Sequence, residues 1–391
     1  MRASPCSTHR TGKNKLFRSF IFDTIPLQAA CCKGFAKKRT FKTRGNTHEM
    51  MHNATMMNVV ILDDYQDAVR KLACASKLDA FQAKVYTNTI KGVGQLSVRL
   101  READIIVLIR SRTSISRQLI EKLPRLKLIV HTGPNSDHID VAACTERRIA
   151  VVAGSQSPIA SAELTWALLM AASRRLPQYI ANLRHGVWQQ SGLKASSMPP
   201  NFGLGTRLHG KTLGLWGFGR VGQLVASYGR AFGMHVLVWG TEHTIQQASN
   251  AGYAIAADRE QLFAESDFLS LHLPLLPETR GLITLADLSL MKPTAVLINT
   301  SHAELLPTDI LVTALNRGRP GMAAIDVLET EPVLPGNTLL RLENCLCSPH
   351  IGHVDLEAYE HDFNEAFDSI LAFAAGQPIN LVNPQALCMV P

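Results

Sequence analysis

Three glycines spaced as Gly-x-Gly-x-x-Gly follow a short apolar run that begins at Lys211. The first glycine of this spacing permits a tight turn, the second lets backbone approach a pyrophosphate, and the third lets a helix pack close to a sheet. Pyrophosphate oxygens would accept hydrogen bonds from free N–H groups at the helix N-terminus. The spacing predicts a dinucleotide site, with a glycine-rich turn in an ordinary α/β protein as the alternative. The motif reads Gly217-Phe218-Gly219-Arg220-Val221-Gly222.

The motif requires a strand before it, and a helix and a second strand after it. Residues 211–216 include an apolar run of strand length, residues 224–232 continue with a helical pattern, and residues 234–239 form a second apolar run. This order is strand, turn, helix and strand, which strengthens the prediction of a dinucleotide site.

The rest of the chain alternates short apolar strands with helical segments. Near-continuous apolar strands indicate parallel sheets covered by helices on both faces. A long helix is predicted over 160–183, and a loop rich in Pro, Gly and Ser at 192–208 separates the first strands from the glycine motif. Two doubly wound α/β domains are therefore expected. The other strands are predicted at 58–62, 83–86, 103–109, 126–130, 149–152, 266–272, 295–299, 321–326 and 345–347.

The composition is that of a globular protein with an uneven charge distribution. The 391 residues are 46% hydrophobic and 18% charged, which leaves room for two domains. The formal net charge is +8, but residues 1–57 contain eleven Lys and Arg against Asp23 and Glu49, so they carry +9 and the remainder carries −1. A basic surface for nucleic acid is therefore not expected on the folded body.

Residues 1–57 show no sustained helical or strand period and are expected to be a basic extension. A transit peptide and a nucleic-acid-binding arm are two interpretations. We favour a third, disordered sequence translated upstream of the true start, because Met50, Met51, Met56 and Met57 precede the first strand. No apolar run reaches the ~18 residues needed to span a bilayer, and no secretory signal is evident. A cytoplasmic protein without a membrane partner is expected.

Eight cysteines are scattered along the chain rather than spaced as a disulfide framework, so reduced thiols are expected. The segment Cys345-x-Cys347-x-x-His350-x-x-His353 combines residue types that bind metals. Its spacing fits none of the common structural zinc patterns, and we expect no metal there. A strand end followed by a functional histidine explains the segment better.

Three further motifs follow the glycine motif in order along the chain. They are Leu271-His272-Leu273-Pro274-Leu275 with Pro277-Glu278-Thr279-Arg280-Gly281, Ile325-Asp326-Val327 with Glu331-Pro332, and Ser348-Pro349-His350-Ile351-Gly352. With these motifs, residues 58–391 resemble the D-isomer-specific 2-hydroxyacid dehydrogenases, the family that includes phosphoglycerate dehydrogenase and glyoxylate/hydroxypyruvate reductases. The resemblance implies a flavodoxin-like substrate domain at 58–157 and 353–391, a Rossmann-type coenzyme domain inserted at 158–352, a homodimer, and an active site between the domains.

Reduction of a 2-keto acid needs a hydride at the carbonyl carbon and a proton at its oxygen. Histidine titrates near neutral pH, and the resemblance assigns the role of general acid, or of base in the reverse reaction, to His350. It assigns Glu331 as the acidic partner, which would fix the tautomer of His350 and raise its pKa. A surface histidine would be the simpler interpretation of His350 alone, but its Ser-Pro-His-Ile-Gly setting favours catalysis.

The third family residue departs from the pattern. The family has an arginine that binds the substrate carboxylate and polarises the carbonyl, whereas this chain has His302. Histidine offers fewer donors and a partial charge at neutral pH, so either activity is weak or another cation compensates. The candidate is Arg110-Ser111-Arg112-Thr113, which resembles a loop of the phosphoglycerate dehydrogenase branch; a solvated basic loop is the alternative. Gly133 is a further substrate-binding candidate, although its loop lacks the family's second glycine.

A second departure concerns the coenzyme. NAD-specific members have an aspartate after the second strand that bonds the ribose hydroxyls, whereas here Trp239 is followed by Gly240-Thr241-Glu242. No arginine for a 2′-phosphate stands there, and Glu242 could replace the aspartate. NAD and NADP both stay open, and we favour NAD slightly. The resemblance places further coenzyme contacts at His272, Pro274, Asn299, Thr300, Ser301, Asp326 and Gly352.

Two functions follow from these residues. The first is an NAD(P)-dependent oxidoreductase that transfers a hydride between the coenzyme and a small 2-keto or D-2-hydroxy acid, phosphorylated acids included. The alternative is a nucleotide-binding sensor or interaction protein on the same fold, in which His302 has weakened catalysis. Glyoxylate, hydroxypyruvate and 3-phosphohydroxypyruvate are the candidate substrates.

Overall fold

The N-terminal strands of the folded body form a five-stranded parallel sheet. The structure is a computed structural model that describes residues 56–194 and 198–388, so the predicted extension at 1–57 lies almost wholly outside the described residues. The strand order across this sheet is 2-1-3-4-5, which is the flavodoxin-like order. The strands are β1 (Asn58–Ile61), β2 (Gln82–Val85), β3 (Ile105–Leu108), β4 (Leu128–His131) and β5 (Ala150–Ala153).

The remaining strands form a second parallel sheet of seven strands. They are β6 (Thr212–Trp216), β7 (His235–Trp239), β8 (Ala254–Ile255), β9 (Phe268–Leu271), β10 (Val296–Asn299), β11 (Met322–Ile325) and β12 (Cys345–Cys347). Their order is β12-β11-β10-β9-β6-β7-β8, so the direction of winding reverses between β6 and β9, as in Rossmann sheets. The short edge strand β8 was not predicted. The two doubly wound parallel α/β domains expected from the sequence are confirmed.

Helices cover both faces of each sheet, which explains the continuous apolar runs of the strands. In β3, Ile105 and Val107 face a core shared with the last long helix, whereas Ile106 and Leu108 face the core on the other side. The helices are α1 (Val93–Leu100), α2 (Arg117–Ile120), α3 (Val141–Glu146), α4 (Ile159–Ser173), α5 (Leu176–Arg184), α6 (Arg220–Ala231), α7 (Glu242–Asn250), α8 (Arg259–Glu265), α9 (Leu285–Leu290), α10 (Thr308–Asn316), α11 (Leu356–Ala374) and α12 (Gln385–Cys388).

The C-terminal helix α11 returns to the first sheet. Phe363, Phe367 and Ile370 of α11 are almost wholly buried against residues of β1, β3 and β4. This contact agrees with a domain built from both ends of the chain, while the boundaries at 58–157, 158–352 and 353–391 stay a prediction. Among the described helices, none combines the length and the apolar character that crossing a membrane demands.

The single helix predicted over 160–183 is wrong, because the chain breaks between α4 and α5. Arg175 has a left-handed backbone with φ of 56° and is only 1% exposed. Its guanidinium donates to the carbonyls of Ala172 at 2.6 Å and Phe202 at 3.1 Å, and it stacks on the Phe202 ring at 4.0 Å. Burial lowers the pKa of Arg175 to about 10. An apolar helical pattern does not reveal this break, because the contact with Phe202 is tertiary.

The buried guanidinium should therefore carry stability. We expect Arg175→Ala to lower the free energy of unfolding by roughly 2–4 kcal/mol, because two buried carbonyls lose their donor. Arg174→Ala is the matched control, since Arg174 is the exposed neighbour. Denaturant unfolding followed by circular dichroism measures both, and equal losses would contradict a specific role for Arg175.

Candidate active site

The loops that follow β11 and β12 bring Glu331 and His350 into contact. Nδ1–H of His350 donates to Oε2 of Glu331 over 2.6 Å, and Oε1 of Glu331 accepts from the N–H of Leu328 at 2.9 Å. Because Nδ1 is engaged, Nε2 is the ring nitrogen that remains for a ligand. The two side chains are 44% and 34% exposed, so a substrate can reach them. The two residues predicted to transfer the proton thus lie together.

The pair shifts the titration of both partners. Burial acts to lower the pKa of His350, but the hydrogen bond and the charge of Glu331 outweigh it, and the pKa is raised. Burial acts to raise the pKa of Glu331, but the hydrogen bond from His350 prevails and the pKa is lowered. His350 therefore keeps its proton to higher pH than a free histidine, as a general acid near neutral pH requires.

Asp326, at the end of β11, anchors the loop that carries His350. Oδ1 accepts from the Ser348 hydroxyl at 2.6 Å and from the N–H of Ile351 at 2.9 Å, while Oδ2 accepts from the N–H of Gly352 at 2.9 Å. Asp326 is 1% exposed, and both oxygens of its carboxylate accept hydrogen bonds from this loop. Its predicted contact with the coenzyme stays a prediction, whereas its structural part in the site is visible in these contacts.

His302 enters the same site from the turn after β10. The side chain of Asn299 shapes this turn, because its amide donates to the carbonyl of His302 at 2.9 Å and its oxygen accepts from the N–H of Ser301 at 3.1 Å. Burial lowers the pKa of His302, Glu304 opposes that shift, and the nearby His350 adds to it. At neutral pH His302 is therefore an uncharged donor or acceptor rather than a substitute cation.

Arg110 forms an ion pair inside the fold, and its predicted contact with a substrate stays a prediction. Its guanidinium donates to Oδ2 of Asp362 in α11 at 2.8 Å, in a pair whose side chains are 14% and 6% exposed. Thr113 is buried and its hydroxyl donates to the carboxylate of Asp63, while Ser111 is exposed. The two arginines of the predicted run 110–113 therefore differ. Arg110 is half of a buried ion pair, whereas Arg112 is not part of it.

Arg112 brings a cation to the site. It donates to the carbonyl of Asp63 at 2.7 Å, its guanidinium lies 4.7 Å from the centroid of the Tyr65 ring, and its charge acts on the pKa of His350. Lys91 donates to the carbonyl of Arg112 at 3.0 Å and its charge contributes to the lowered pKa of Glu331. Sequence reasoning missed Tyr65 and Lys91, because only the fold brings them to this place.

Three further histidines, His131 beside the substrate candidate Gly133, His138 beside His131 and His353 beside His350, add no positive charge. The N–H and carbonyl of Gly133 lie 3.3 and 2.6 Å from Nδ1 of His131, whose ring centroid is 4.5 Å from that of His138. His353 stands perpendicular to His350 with centroids 5.6 Å apart. Burial lowers the pKa of His131 and His138 to about 4 and that of His353 well below its ordinary value. These rings are therefore neutral at physiological pH.

The glycine motif lies at the crevice between β6 and β9, where winding reverses. Gly217 has φ of 102°, and a Cβ there would lie 2.3 Å from the carbonyl oxygen of His272. A Cβ at Gly222 would lie 2.7 Å from the carbonyl oxygen of Gly217, whereas one at Gly219 would meet nothing within 4 Å. Gly217 and Gly222 thus permit close backbone packing, and Gly219 leaves open space at the start of α6. These residues fit a dinucleotide at this crevice.

Several other predicted coenzyme residues direct their side chains into the protein. Oγ1 of Thr300 lies 2.6 Å from Oγ1 of Thr165 in α4, and the Ser301 hydroxyl donates to the carbonyl of Leu273 at 3.2 Å. Nε2 of His272 lies 3.0 Å from the Ser270 hydroxyl. Phe218 is buried, Val221 is half-buried, and Arg220 and Pro274 are exposed.

The turn after β7 holds Gly240 tightly against α7. A Cβ at Gly240 would lie 2.7 Å from the side-chain methyl of Thr244, so a larger residue there requires a shift. The hydroxyl of Thr241 caps α7 by accepting from the N–H of Thr244 at 3.3 Å, and Glu242 is the exposed first residue of that helix. Within the described residues, no group of three or more His, Cys, Asp or Glu is arranged to hold a metal ion.

Comparisons with known proteins point to one family. The family model for the D-isomer specific 2-hydroxyacid dehydrogenase, NAD binding domain, matches residues 166–352. The chain is 37% identical to a glyoxylate reductase from Thermococcus litoralis over 76% of its own length and 89% of that protein. It is 36% identical to a D-3-phosphoglycerate dehydrogenase from Methanocaldococcus jannaschii over 78% of its own length, and it spans about half of that relative, 55%.

A solved structure of an oxidoreductase from Ralstonia solanacearum is 57% identical to the chain, with a TM-score of 0.84, and covers 86% of this chain and 98% of its own. The sheet orders, the His350–Glu331 pair at the strand ends and these sequence similarities lead to one conclusion. The chain belongs to the D-isomer specific 2-hydroxyacid dehydrogenase family.

Proposed function

We propose that the chain is a nicotinamide-dependent reductase of a small 2-keto acid, which it converts to the D-2-hydroxy acid. The observation that carries the proposal is the 2.6 Å hydrogen bond between His350 and Glu331, which leaves Nε2 of His350 to donate a proton. Its neighbourhood supports the proposal, because Arg112 and Lys91 supply positive charge for an acidic substrate.

The proposed mechanism assigns one task to each group. A bound nicotinamide coenzyme would supply the hydride from its nicotinamide ring. The pyrophosphate of the coenzyme would lie at the open start of α6 beside Gly219. His350 would donate the proton from Nε2 to the oxygen of the substrate carbonyl as the alcohol forms. Glu331 would stabilise the imidazolium before that transfer and hold the ring in place. In the oxidation direction, neutral His350 would accept the proton.

Arg112 would bind the substrate carboxylate or a phosphate at its far end, and Lys91 would add to the field. His302, neutral and close to His350, would donate a hydrogen bond to the carbonyl or carboxylate where the family's arginine would make a charged, bidentate contact. This arrangement supports a weaker but working site. It also makes the substrate preference depend on Arg112 and Lys91, which lie in segments that follow strands of the first sheet.

NAD is the coenzyme that we propose. Helix α7 has the sequence Glu-His-Thr-Ile-Gln-Gln-Ala-Ser-Asn, which contains no Lys or Arg to attract a 2′-phosphate. The exposed carboxylate of Glu242 lies at its first position, where it would repel such a phosphate and could accept hydrogen bonds from ribose hydroxyls.

A homodimer and a cytoplasmic location also remain proposals. Leu176, Ile180 and Leu183 lie on one face of α5 and are 49%, 43% and 54% exposed. An exposed apolar stripe of this kind on a helix is typical of an association surface.

The test of the proposal is oxidation of NADH and NADPH, followed by absorbance, with glyoxylate, hydroxypyruvate and 3-phosphohydroxypyruvate. Turnover with any acid supports the reductase and identifies the coenzyme, whereas tight NADH binding without turnover favours the weakened sensor.

His302→Arg is assayed in parallel. We expect it to change kcat/KM by less than about tenfold, because Arg112 already supplies a cation; a gain of several orders of magnitude would support weakened catalysis instead.

The pH profile should depend on Glu331. Reduction needs protonated His350, so its rate falls as pH rises through the raised pKa of His350. In Glu331→Gln only the lowering effect of burial remains among the main causes, so the fall should move to lower pH, and kcat/KM should drop on the order of 100-fold. Glu343→Gln, at an exposed position, is the control. An unshifted profile in Glu331→Gln would show that the pair does not set the acid.

Arg110 and Arg112 should separate stability from substrate binding. We expect Arg112→Ala to reduce kcat/KM for the keto acid on the order of 100-fold, mainly through KM. Arg110→Ala should instead destabilise the fold by about 3–5 kcal/mol, because Asp362 would be left buried without its partner. Steady-state kinetics and denaturant unfolding of both variants test this division. The reverse assignment of the two effects would overturn it.

A further inference from the structure

Cys345 and Cys347 form a thiol pair that the proposed reaction does not use. They occupy alternate positions of β12, so their side chains lie on the same face, and their Sγ atoms are 3.7 Å apart. Both are partly exposed, whereas Cys74 and Cys144, the other cysteines whose side chains the structure describes, are buried. β12 is an edge strand of the sheet, and β11 is the strand with which it pairs.

The thiol pair is connected directly to the catalytic loop. Ser348 follows Cys347, and its N–H donates to the carbonyl of Ile325 at 2.9 Å as the last contact of β12 with β11. The Ser348 hydroxyl then bonds to Asp326, and His350 is two residues further along. A change in the length or twist of β12 therefore reaches His350 through three residues of chain.

We propose that Cys345 and Cys347 are a site of reversible oxidation, at which closure to an intrachain disulfide displaces His350 and switches off the site. The oxidant is a low-molecular-weight disulfide. The switching part of the proposal rests on the proposed reductase function, while the oxidation itself does not.

The chemistry of closure is thiol–disulfide exchange. The Cys347 thiolate attacks one sulfur of the small disulfide, and a mixed disulfide forms as one small thiolate leaves. Cys345 loses its proton and attacks the Cys347 sulfur, which releases the second small thiol. The protein loses two electrons and two protons, and the small disulfide gains them. The hydrogen bond from Cys345 lowers the pKa of Cys347 although burial opposes it, which favours Cys347 as the attacking group.

Geometry explains why closure should move the loop. Alternate residues of an extended strand are about 6.6 Å apart at Cα, near the upper end of the roughly 4.4–6.8 Å found in disulfides, most of which lie at about 5.5–6 Å. The sulfur atoms must also approach from 3.7 Å to bonding distance. Closure at the usual Cα separation shortens or twists β12, and this movement is passed to the loop that follows Cys347 directly in the chain. A displacement of a catalytic group by ~1 Å can cost on the order of 100-fold in rate.

The test treats the full-length protein with glutathione disulfide and then with dithiothreitol. Cleavage after Glu343 and Glu357 gives a peptide that contains Cys345 and Cys347 and no other cysteine. We expect this peptide to lose the mass of two hydrogen atoms on oxidation and to regain it on reduction. Reductase activity should fall on the order of 100-fold and recover with the same time course. Coenzyme binding, measured by fluorescence titration, should persist in the oxidised form.

Single-thiol variants supply the controls. Cys347→Ala, which lacks the attacking thiol, should keep activity after the same treatment, Cys345→Ala should stop at the mixed disulfide of Cys347, and Cys74→Ala should be inactivated like the natural protein. Absence of the oxidised peptide in the natural protein overturns the proposal without touching the reductase function. An oxidised peptide with full activity overturns the switch. If no keto acid is turned over at all, the reductase proposal has failed. Closure is then still tested by the mass of the peptide and by the accessibility of His350 to chemical modification.

Discussion

The hydrogen bonds of the Asp326 carboxylate determine the geometry of the site. Asp326 ends β11 and binds Ser348, Ile351 and Gly352 of the loop after β12. His350 lies within this loop with φ of 53°, a left-handed conformation that costs a residue with a side chain about 1–2 kcal/mol. The bonds to Asp326 hold the loop in that conformation, and only then does the imidazole meet Glu331. The contact between His350 and Glu331 thus depends on a buried carboxylate that need not touch a ligand.

The distribution of charge around that pair follows from burial. Arg110 and Asp362 neutralise each other inside the first domain, and buried histidines such as His131 and His353 stay uncharged. Positive charge near the cleft therefore comes from Arg112 and Lys91. In the proposed function, this division lets Arg112, which follows a strand of the first sheet, supply the charge that His302 lacks.

Much of the fold could be predicted from local patterns. The strands are buried on both faces, so they read as continuous apolar runs, and the glycine spacing marks the crevice at the winding reversal. The break at Arg175 could not be predicted, because it is stabilised by the carbonyls of Phe202 and Ala172 and by the ring of Phe202. The two-residue strand β8 was missed for a different reason, since so short a run carries no period.

The catalytic candidates show the same division. The motifs at 325–332 and 348–352 identified His350 and Glu331 because each has a distinctive local sequence. The choice between Arg110 and Arg112 had no local signal, since the two differ only in what the fold places beside them, Asp362 of a helix some 250 residues away for the first.

The sequence by itself determined the α/β class, and its motifs singled out the glycine turn and the candidate pair His350 and Glu331, because periodicity and motifs are properties of neighbouring residues. Only the tertiary structure decided which cations lie near His350 and Glu331, that burial lowers the pKa of His302, that Asp326 anchors the loop of His350, and that two thiols lie 3.7 Å apart beside it. Charge state and hydrogen bonding depend on burial and on partners distant in the chain, and folding alone brings these together.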